Sequence, residues 1–262
     1  GVNYPRKVCT VLAGEPFAGA LAALLEPLPW QKRLAALRVH AQHKIVFSTS
    51  FSFEDQAITH VIAQEKLPVR FITLDTGRLF EETQKLHQAT RERYGIAIET
   101  YYPDTDAVQQ FVVENGVNGF YNSVENRKTC CHIRKVEPLG RALQDADIWI
   151  SGVRREDSDR RSGLGCAEWD AAHGVVKLYP LIDVRATELW DFIGAENVPV
   201  NPMHQQGFPS IGCAPCTRAV APGEHPRAGR WWWEQEGNRE CGLHVVDGKL
   251  VRSKDGKGGV HA

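Results

Sequence analysis

Four cysteines in this sequence stand in pairs that invite a shared ligand. Cys130-Cys131 sits within Lys128-Thr129-Cys130-Cys131-His132-Ile133-Arg134-Lys135, and Cys213-Ala214-Pro215-Cys216 follows far downstream. Two pairs supply four thiolates, the number taken by a tetrahedral zinc ion or a four-iron cluster. The Cys-x-x-Cys half is an ordinary ligand spacing. The adjacent half is unusual, because neighbouring side chains diverge and reach one centre only through a particular backbone bend. A compact zinc ion tolerates that poorly, whereas a bulkier iron–sulfur cluster offers separate iron corners. The competing explanation is two sets of buried, unliganded thiols.

Other stretches also carry chemistry. Arg239-Glu240-Cys241-Gly242-Leu243-His244 places a lone thiol three residues before a histidine and close to an arginine. Cations lower a thiol's pKa and favour the reactive thiolate, and Gly242 leaves the segment free to bend; the plain alternative is a surface cysteine. Arg154-Arg155-Glu156-Asp157-Ser158-Asp159-Arg160-Arg161 has four arginines in eight residues. It suits a phosphate or sulfate clamp, unless its acids simply cancel its bases in a solvated loop. Arg227-Ala228-Gly229-Arg230-Trp231-Trp232-Trp233 joins cations to three indoles, for which core or lid packing is a better explanation than base stacking. Cys9 and Cys166 lack such company and read as structural or incidental.

The elements that must position these groups follow from periodicity. Residues 15–42 read as helix, interrupted near Pro27-Leu28-Pro29. Lys44–Thr49 is a buried strand, and Glu54–Lys66 a helix with Ile58, Val61 and Ile62 on one face. The polar turn between them, Ser48-Thr49-Ser50-Phe51-Ser52, has the strand–turn–helix form that aims N–H groups at an anion; a serine-rich helix cap is the simpler alternative. There is no G-x-x-x-x-G-K, so it is not a Walker loop. Val69–Leu74 is a strand ending in Asp75-Thr76-Gly77, followed by helix 78–94 with Leu79, Phe80, Thr83 and Leu86 inward. Ile96–Tyr101 is a strand, 104–115 a helix, 130–144 a helix with Pro138 as a kink, and Asp147–Ser151 a strand. Tyr179–Asp183 is a strand and Arg185–Ala195 a helix. Alternating strands and helices imply an α/β fold with a doubly wound, mostly parallel sheet, whose ligands sit beyond the carboxyl ends of the strands. The turns 48–55, 75–78 and 151–155 all lie there. Residues 1–43 form an N-terminal helical segment, 44–197 a nucleotide-binding α/β domain, and 198–246 a proline-rich lid packed on it. Residues 247–262 form a flexible tail, with Asp247-Gly248 as a candidate hairpin turn.

Composition limits the alternatives. The 262 residues carry a net charge of −1, with 42% hydrophobic and 24% charged residues. No global field draws in nucleic acid, and no apolar run approaches the ~18 residues that span a bilayer. The apolar stretch Phe17–Leu25 is flanked by Glu15 and Glu26, unlike a secretory signal. Seven scattered cysteines suit a reducing cytoplasm better than a disulfide scaffold.

Taken together, Ser50-Phe51-Ser52-Phe53-Glu54-Asp55, Leu74-Asp75-Thr76-Gly77, Lys128-Thr129-Cys130-Cys131, Arg154-Arg155-Glu156-Asp157-Ser158, Cys213-Ala214-Pro215-Cys216 and Glu240-Cys241-Gly242-Leu243-His244 resemble the assimilatory sulfonucleotide reductases. They resemble specifically the iron–sulfur branch, the thioredoxin-dependent adenylyl-sulfate reductases. The motifs appear in family order over roughly residues 44–244. The resemblance implies an adenine nucleotide alpha hydrolase-like sheet and a [4Fe-4S] cluster on Cys130, Cys131, Cys213 and Cys216. It implies reduction of adenylyl sulfate to sulfite and AMP, with Cys241 as nucleophile and Lys135 between cluster and substrate. Ser50, Ser52, Leu74, Asp75, Gly77 and Gly152 would line the nucleotide pocket. Arg155, Arg161, Arg227, Arg230 and His244 would face the phosphosulfate. A thioredoxin or glutaredoxin-like dithiol donor and a homo-oligomer are expected, with no nucleic acid and no membrane. Phe53 departs from the pattern, since a small residue is expected there. The sister branch, acting on 3′-phosphoadenylyl sulfate, lacks the two cysteine pairs. A tRNA-thiolating enzyme would need an S-G-G-x-D-S loop that residues 48–55 lack, and a zinc-stapled nucleotide-binding protein is the non-enzymatic alternative.

Overall fold

A computed structural model of the chain describes residues 14–157 and 163–234, with the backbone of 245–246 and 249–250. Helices α1 (Glu15–Leu25) and α2 (Trp30–Ala35) lead through a 3-10 turn into strand β1 (Ile45–Ser48). Pro29 caps α2 in extended geometry, which is why the first helical run breaks where the prolines fall. Then follow α3 (Phe53–Gln64), β2 (Val69–Leu74), α4 (Glu81–Tyr94), β3 (Ile98–Tyr101), α5 (Thr105–Asn115), α6 (Val124–Cys131), α7 (Glu137–Ala142) and β4 (Ile148–Ile150). Strands β5 (Ala167–Asp170) and β6 (Val175–Leu178) precede α8 (Ala186–Glu196).

The six strands form one sheet in the order β3-β2-β1-β4-β6-β5. All pairs are parallel except β5–β6, which is antiparallel. Chain order reverses direction between β1 and β4, the crevice where such sheets bind ligands. Side-chain alternation covers both faces. Ile45 and Phe47 of β1 join Leu21, Leu34, Ile58 and Ile62 in one core, whereas Val46 joins Ile72, Leu139, Leu143 and Trp149 in the other. A third cluster, Phe111, Phe120, Trp231 and the four paired cysteines, stands apart from both. Among the described residues no helix is long and apolar enough to cross a membrane.

Several expected elements are corrected by long-range contacts. The helix expected from residue 78 begins at Glu81, because Leu79 instead forms an isolated bridge with Cys213. The helix expected at 130–144 begins at Val124 with Ser123 as its cap, since the Ser123 hydroxyl accepts from the Asn126 N–H. It passes through a π-helical turn at His132–Val136 before α7. Pro138 lies in the first turn of α7, and the widened turn accommodates the proline's missing N–H. The strand expected at Tyr179–Asp183 is a turn. The strand itself lies earlier, at Val175–Leu178, paired with the unexpected β5. The small hairpin is present as Val245–Val246 paired with Lys249–Leu250; Asp247-Gly248 and the remainder of the tail lie outside the described residues.

Arg33 ties α1 and α2 to the core. Its guanidinium donates to the carbonyls of Leu25, Glu26 and Pro180 and to Asp183 at 2.6–3.1 Å, and the residue is only 2% exposed. Truncation strands several of these acceptors. An Arg33→Ala protein is expected to lose about 1–3 kcal/mol of unfolding stability, measured by denaturant titration, and an unchanged midpoint would contradict this role.

Candidate active site

The carboxyl ends of β1, β2 and β4 surround a cavity of about 210 Å³. Its first wall is the turn after β1. Ser52 caps α3, its hydroxyl accepting from the Asp55 N–H at 3.2 Å. The Asp55 carboxylate accepts from the Ser50 N–H at 2.8 Å and from the Ser50 hydroxyl at 3.0 Å. Phe51, between them, adopts φ +60, a left-handed conformation that costs a bulky residue about 1–2 kcal/mol. The turn is held closed by the Phe51 N–H donating to Thr49 Oγ1, by the Thr73 hydroxyl donating to the Thr49 carbonyl, and by the stack of Phe51 on His87. Burial pushes the Asp55 carboxyl up to about 6, against the Ser50 and Ser52 hydrogen bonds that pull it down.

Of the residues expected to bind substrate, Ser50, Ser52, Leu74, Gly152, Arg227 and Arg230 line this cavity together with Lys135. Asp75, Gly77 and Arg155 are not in its lining. The Asp75 carboxylate instead shapes its own turn, accepting from the Gly77 N–H and the Gln84 amide. Gly77 holds φ +79, and a Cβ there would lie 3.3 Å from Arg134 Nη1. Arg155 donates to the Leu164 carbonyl. Its neighbour Arg154 is the buried one, paired with Glu54 at 3.1 Å, Glu156 at 2.6 Å and Asp157 at 2.9 Å. Arg161, Cys241 and His244 lie outside the described residues, as does Cys9. Arg230 is buried, with Nη1 donating to the Ser210 hydroxyl at 3.0 Å and a buried Nε without a hydrogen-bond partner among the described residues. The Arg230 side chain lines the cavity wall, where a guanidinium favours an anionic ligand.

Phe53 fits because its ring turns away from this cavity. It stacks on Trp190 at 4.7 Å and meets the edge of His204 under the Arg154 guanidinium.

Behind this cavity lies a second, smaller one. Cys130, Cys131, Cys213 and Cys216 line it with Arg78, Arg127, Arg134, Lys135, Phe120, Pro215 and Trp231. Lys135 belongs to both walls. All four thiols are free and buried. Burial pushes the Cys130 thiol up against the opposing pull of Arg134 and Lys135, and pushes the Cys216 thiol up to about 12. Among the described residues no group of three or more His, Cys, Asp or Glu side chains has the arrangement of a single metal-ion site. Cys130, Cys131, Cys213 and Cys216 would be the residues to hold a metal-containing group here, and its positive charge would convert these reluctant thiols to thiolates.

Spacing alone did not reveal the second shell around these sulfurs. The Thr76 hydroxyl lies 3.2 Å from Cys213 Sγ. Arg134 donates to the Thr76 carbonyl at 2.6 Å, and Tyr121 donates to the Pro215 carbonyl at 2.7 Å. Next to Cys213, a Cβ at Gly212 would sit 2.5 Å from Arg230 Nη2, so with Arg230 in this position only glycine fits there.

A mostly parallel sheet with a polar cavity at its switch point, and a chamber lined by four cysteines beside it, defines a doubly wound α/β fold of the nucleotide-binding kind. The chain belongs to the phosphoadenosine phosphosulfate reductase domain family, whose model matches residues 44–219. It is 50% identical over 218 residues to an adenosine 5′-phosphosulfate reductase of Burkholderia cepacia, covering 82% of this chain and 87% of that one. It is 52% identical over 200 residues to the protein of that name from Allochromatium vinosum, covering 76% and 78%. A phosphoadenylyl-sulfate reductase structure from Candida auris shares the fold, with TM-score 0.63 and 21% identity over 84% of this chain and 100% of that one.

Gly152 allows the closest approach in the first cavity, since a Cβ there would lie 2.0 Å from Asp55 Oδ1. A Gly152→Ala protein is expected to lose about 1–3 kcal/mol of stability through overpacking. Most of that loss should return when Asp55→Ser is added, as read from denaturation midpoints in a double-mutant cycle. Additive losses would show that the two residues do not meet.

Proposed function

We propose that this chain reduces adenylyl sulfate to sulfite and AMP in assimilatory sulfate reduction, with a thioredoxin or glutaredoxin-like dithiol as donor. The observation that carries this is Lys135, shared by the wall of the nucleotide-sized cavity and the wall of the four-cysteine cavity. Ser50, Ser52, Leu74 and Gly152 would hold the nucleotide, and Lys135, Arg227 and Arg230 its phosphosulfate. Residues Cys241 and His244 enter by their motif, and Arg161 by the same resemblance.

In the proposed reaction the Cys241 thiolate attacks the sulfur of the sulfate group. A sulfur–sulfur bond forms, the bond from that sulfur to the bridging oxygen breaks, and the electron pair leaves with AMP. Negative charge then spreads over sulfate and phosphate oxygens. Cations already fixed in place stabilise it without solvent reorganisation, an effect worth about 3–4 kcal/mol per well-placed donor. The S-sulfonated Cys241 accepts attack by one thiol of the donor, which releases sulfite. The donor's second thiol then restores Cys241 and leaves the donor as a disulfide, so both electrons come from the dithiol.

The residues fit a [4Fe-4S] group held by Cys130, Cys131, Cys213 and Cys216. When bound, it supplies fixed charge and a rigid core beside Lys135. Buried free thiols at all five described cysteines support a reducing, cytoplasmic setting.

Incubation with adenylyl sulfate is expected to add about 80 Da, one SO₃, to the protein by intact mass, and a Cys241→Ser protein should show no addition. An unmodified wild type overturns the proposal. The purified holoprotein should be brown and absorb near about 400 nm, and Cys216→Ala should lose both the colour and the iron. Colourless protein carrying zinc would favour the zinc-stapled alternative.

A further inference from the structure

Arg227 and Arg230 serve the proposed reaction, whereas Trp231 and Glu234 of the same stretch have no part in it and are firmly held. Trp231 is 1% exposed and holds φ +45, a strained conformation for an indole residue that persists only where surroundings over-determine it. Its N–H donates to the Cys216 carbonyl at 2.9 Å. Two guanidinium groups pack on its ring, Arg127 at 4.4 Å and Arg230 at 4.9 Å. The Glu234 N–H closes the turn onto the Trp231 carbonyl at 2.9 Å.

Glu234 then meets Arg127. Arg127 Nε donates to Oε2 at 2.8 Å and Nη2 to Oε1 at 3.0 Å, a two-point pairing that fixes direction as well as distance. The side chains are only 1% and 3% exposed. Arg127 belongs to α6, the helix that ends in Cys130-Cys131, lines the four-cysteine cavity and also hydrogen-bonds to Cys131. The chain leaving Glu234 is therefore attached to both cysteine pairs: through Arg127 to the first, and through Trp231 to the second.

We infer that Arg127 and Glu234 form a positioning strut that fixes, relative to the four-cysteine cavity, the point from which the Cys241 segment departs. This rests on the proposed role of Cys241. Cys241 follows Glu234 by seven residues (241 − 234), so its backbone reaches no farther than about 24 Å from that anchor. Releasing Glu234 moves the last firm attachment back to Trp231 and lengthens the tether to ten residues (241 − 231). On the −3/2-power dependence of effective concentration on tether length, the longer tether lowers that of the thiol at the nucleotide by at least about 1.7-fold. The strut acts through Cys241.

The test uses iron-loaded full-length protein, with adenylyl sulfate for single-turnover formation of the Cys241 adduct and AMP for equilibrium binding. In Glu234→Gln, and independently in Arg127→Lys, adduct formation is expected to slow by at least about 1.7-fold. Iron content and AMP affinity should match wild type, so that kcat falls while KM holds. Wild-type adduct rates in variants that keep their iron overturn the strut. So does loss of iron or AMP binding in parallel with the rate in both variants, which would mark the pair as general core structure. A wild-type protein that forms no adduct overturns the role of Cys241 and the strut with it, whereas adduct formation that is equally fast in wild type and variants overturns the strut alone.

Discussion

Gathering four thiols into one buried chamber opposes their ionisation, and the cations around them act against that cost. Arg78, Arg127, Arg134 and Lys135 all line the cysteine chamber. Three of them are immobilised by protein acceptors: Arg78 on the Val117 carbonyl and Asn118, Arg134 on the Thr76 carbonyl, and Arg127 on Glu234. Such charges are fixed before any ligand arrives, so they need not be reorganised when charge develops nearby. Arg134 and Lys135 oppose the burial that raises the Cys130 thiol. A group that turns these thiols into thiolates would thus meet a shell already balanced to receive negative charge.

The turn after β2 makes the two chambers interdependent. Leu74 and Thr76 face the nucleotide-sized cavity, while the Thr76 hydroxyl touches Cys213 Sγ and its carbonyl accepts from Arg134. One peptide segment thus serves as the floor of one site and the outer shell of the other. A shift of this backbone alters both, because packed interiors do not absorb displacement gradually. Two strained residues stand at the edges of this region. Phe51 and Trp231 each hold a positive φ and are each buried to within 3%, so aromatic packing sustains what backbone preference opposes.

Much of this architecture was legible in the sequence where local signals agree with the final contacts. Val69–Leu74 is an apolar β-branched run and forms that strand to the residue. The pairing of Cys130-Cys131 with Cys213 and Cys216 was readable because four thiols in two close pairs have few other uses. What was not legible depends on partners distant in sequence. Leu79 leaves the helical register because Cys213 bridges to it. Strands β5 and β6 are short, and the turn between them holds the Asp170–His173 pair at 2.8 Å, which carries no strong sequence signature. The arginine-rich loop is the clearest case. Arg154 and Arg155 are chemically identical neighbours, yet Glu54 and Asp157 draw the first inward while the second takes the Leu164 carbonyl. Only the fold decides between them.

That inward arginine also explains why Phe53 is tolerated where a smaller residue was expected. Burial, reinforced by the charge of Asp157, raises the Glu54 carboxyl, and Arg154 acts against it. The guanidinium in turn lies over the Phe53 ring at 5.4 Å, where the aromatic face partly replaces the water that burial removes. With Trp190 stacked on the other side, Phe53 becomes an apolar plug beneath a buried ion network. It supports the first turn of α3 from behind while Ser50, Ser52 and Asp55 keep the cavity side polar. The cavity's polar face and its aromatic support therefore come from alternate residues of one short stretch, and the unexpected side chain strengthens the backing without entering the site.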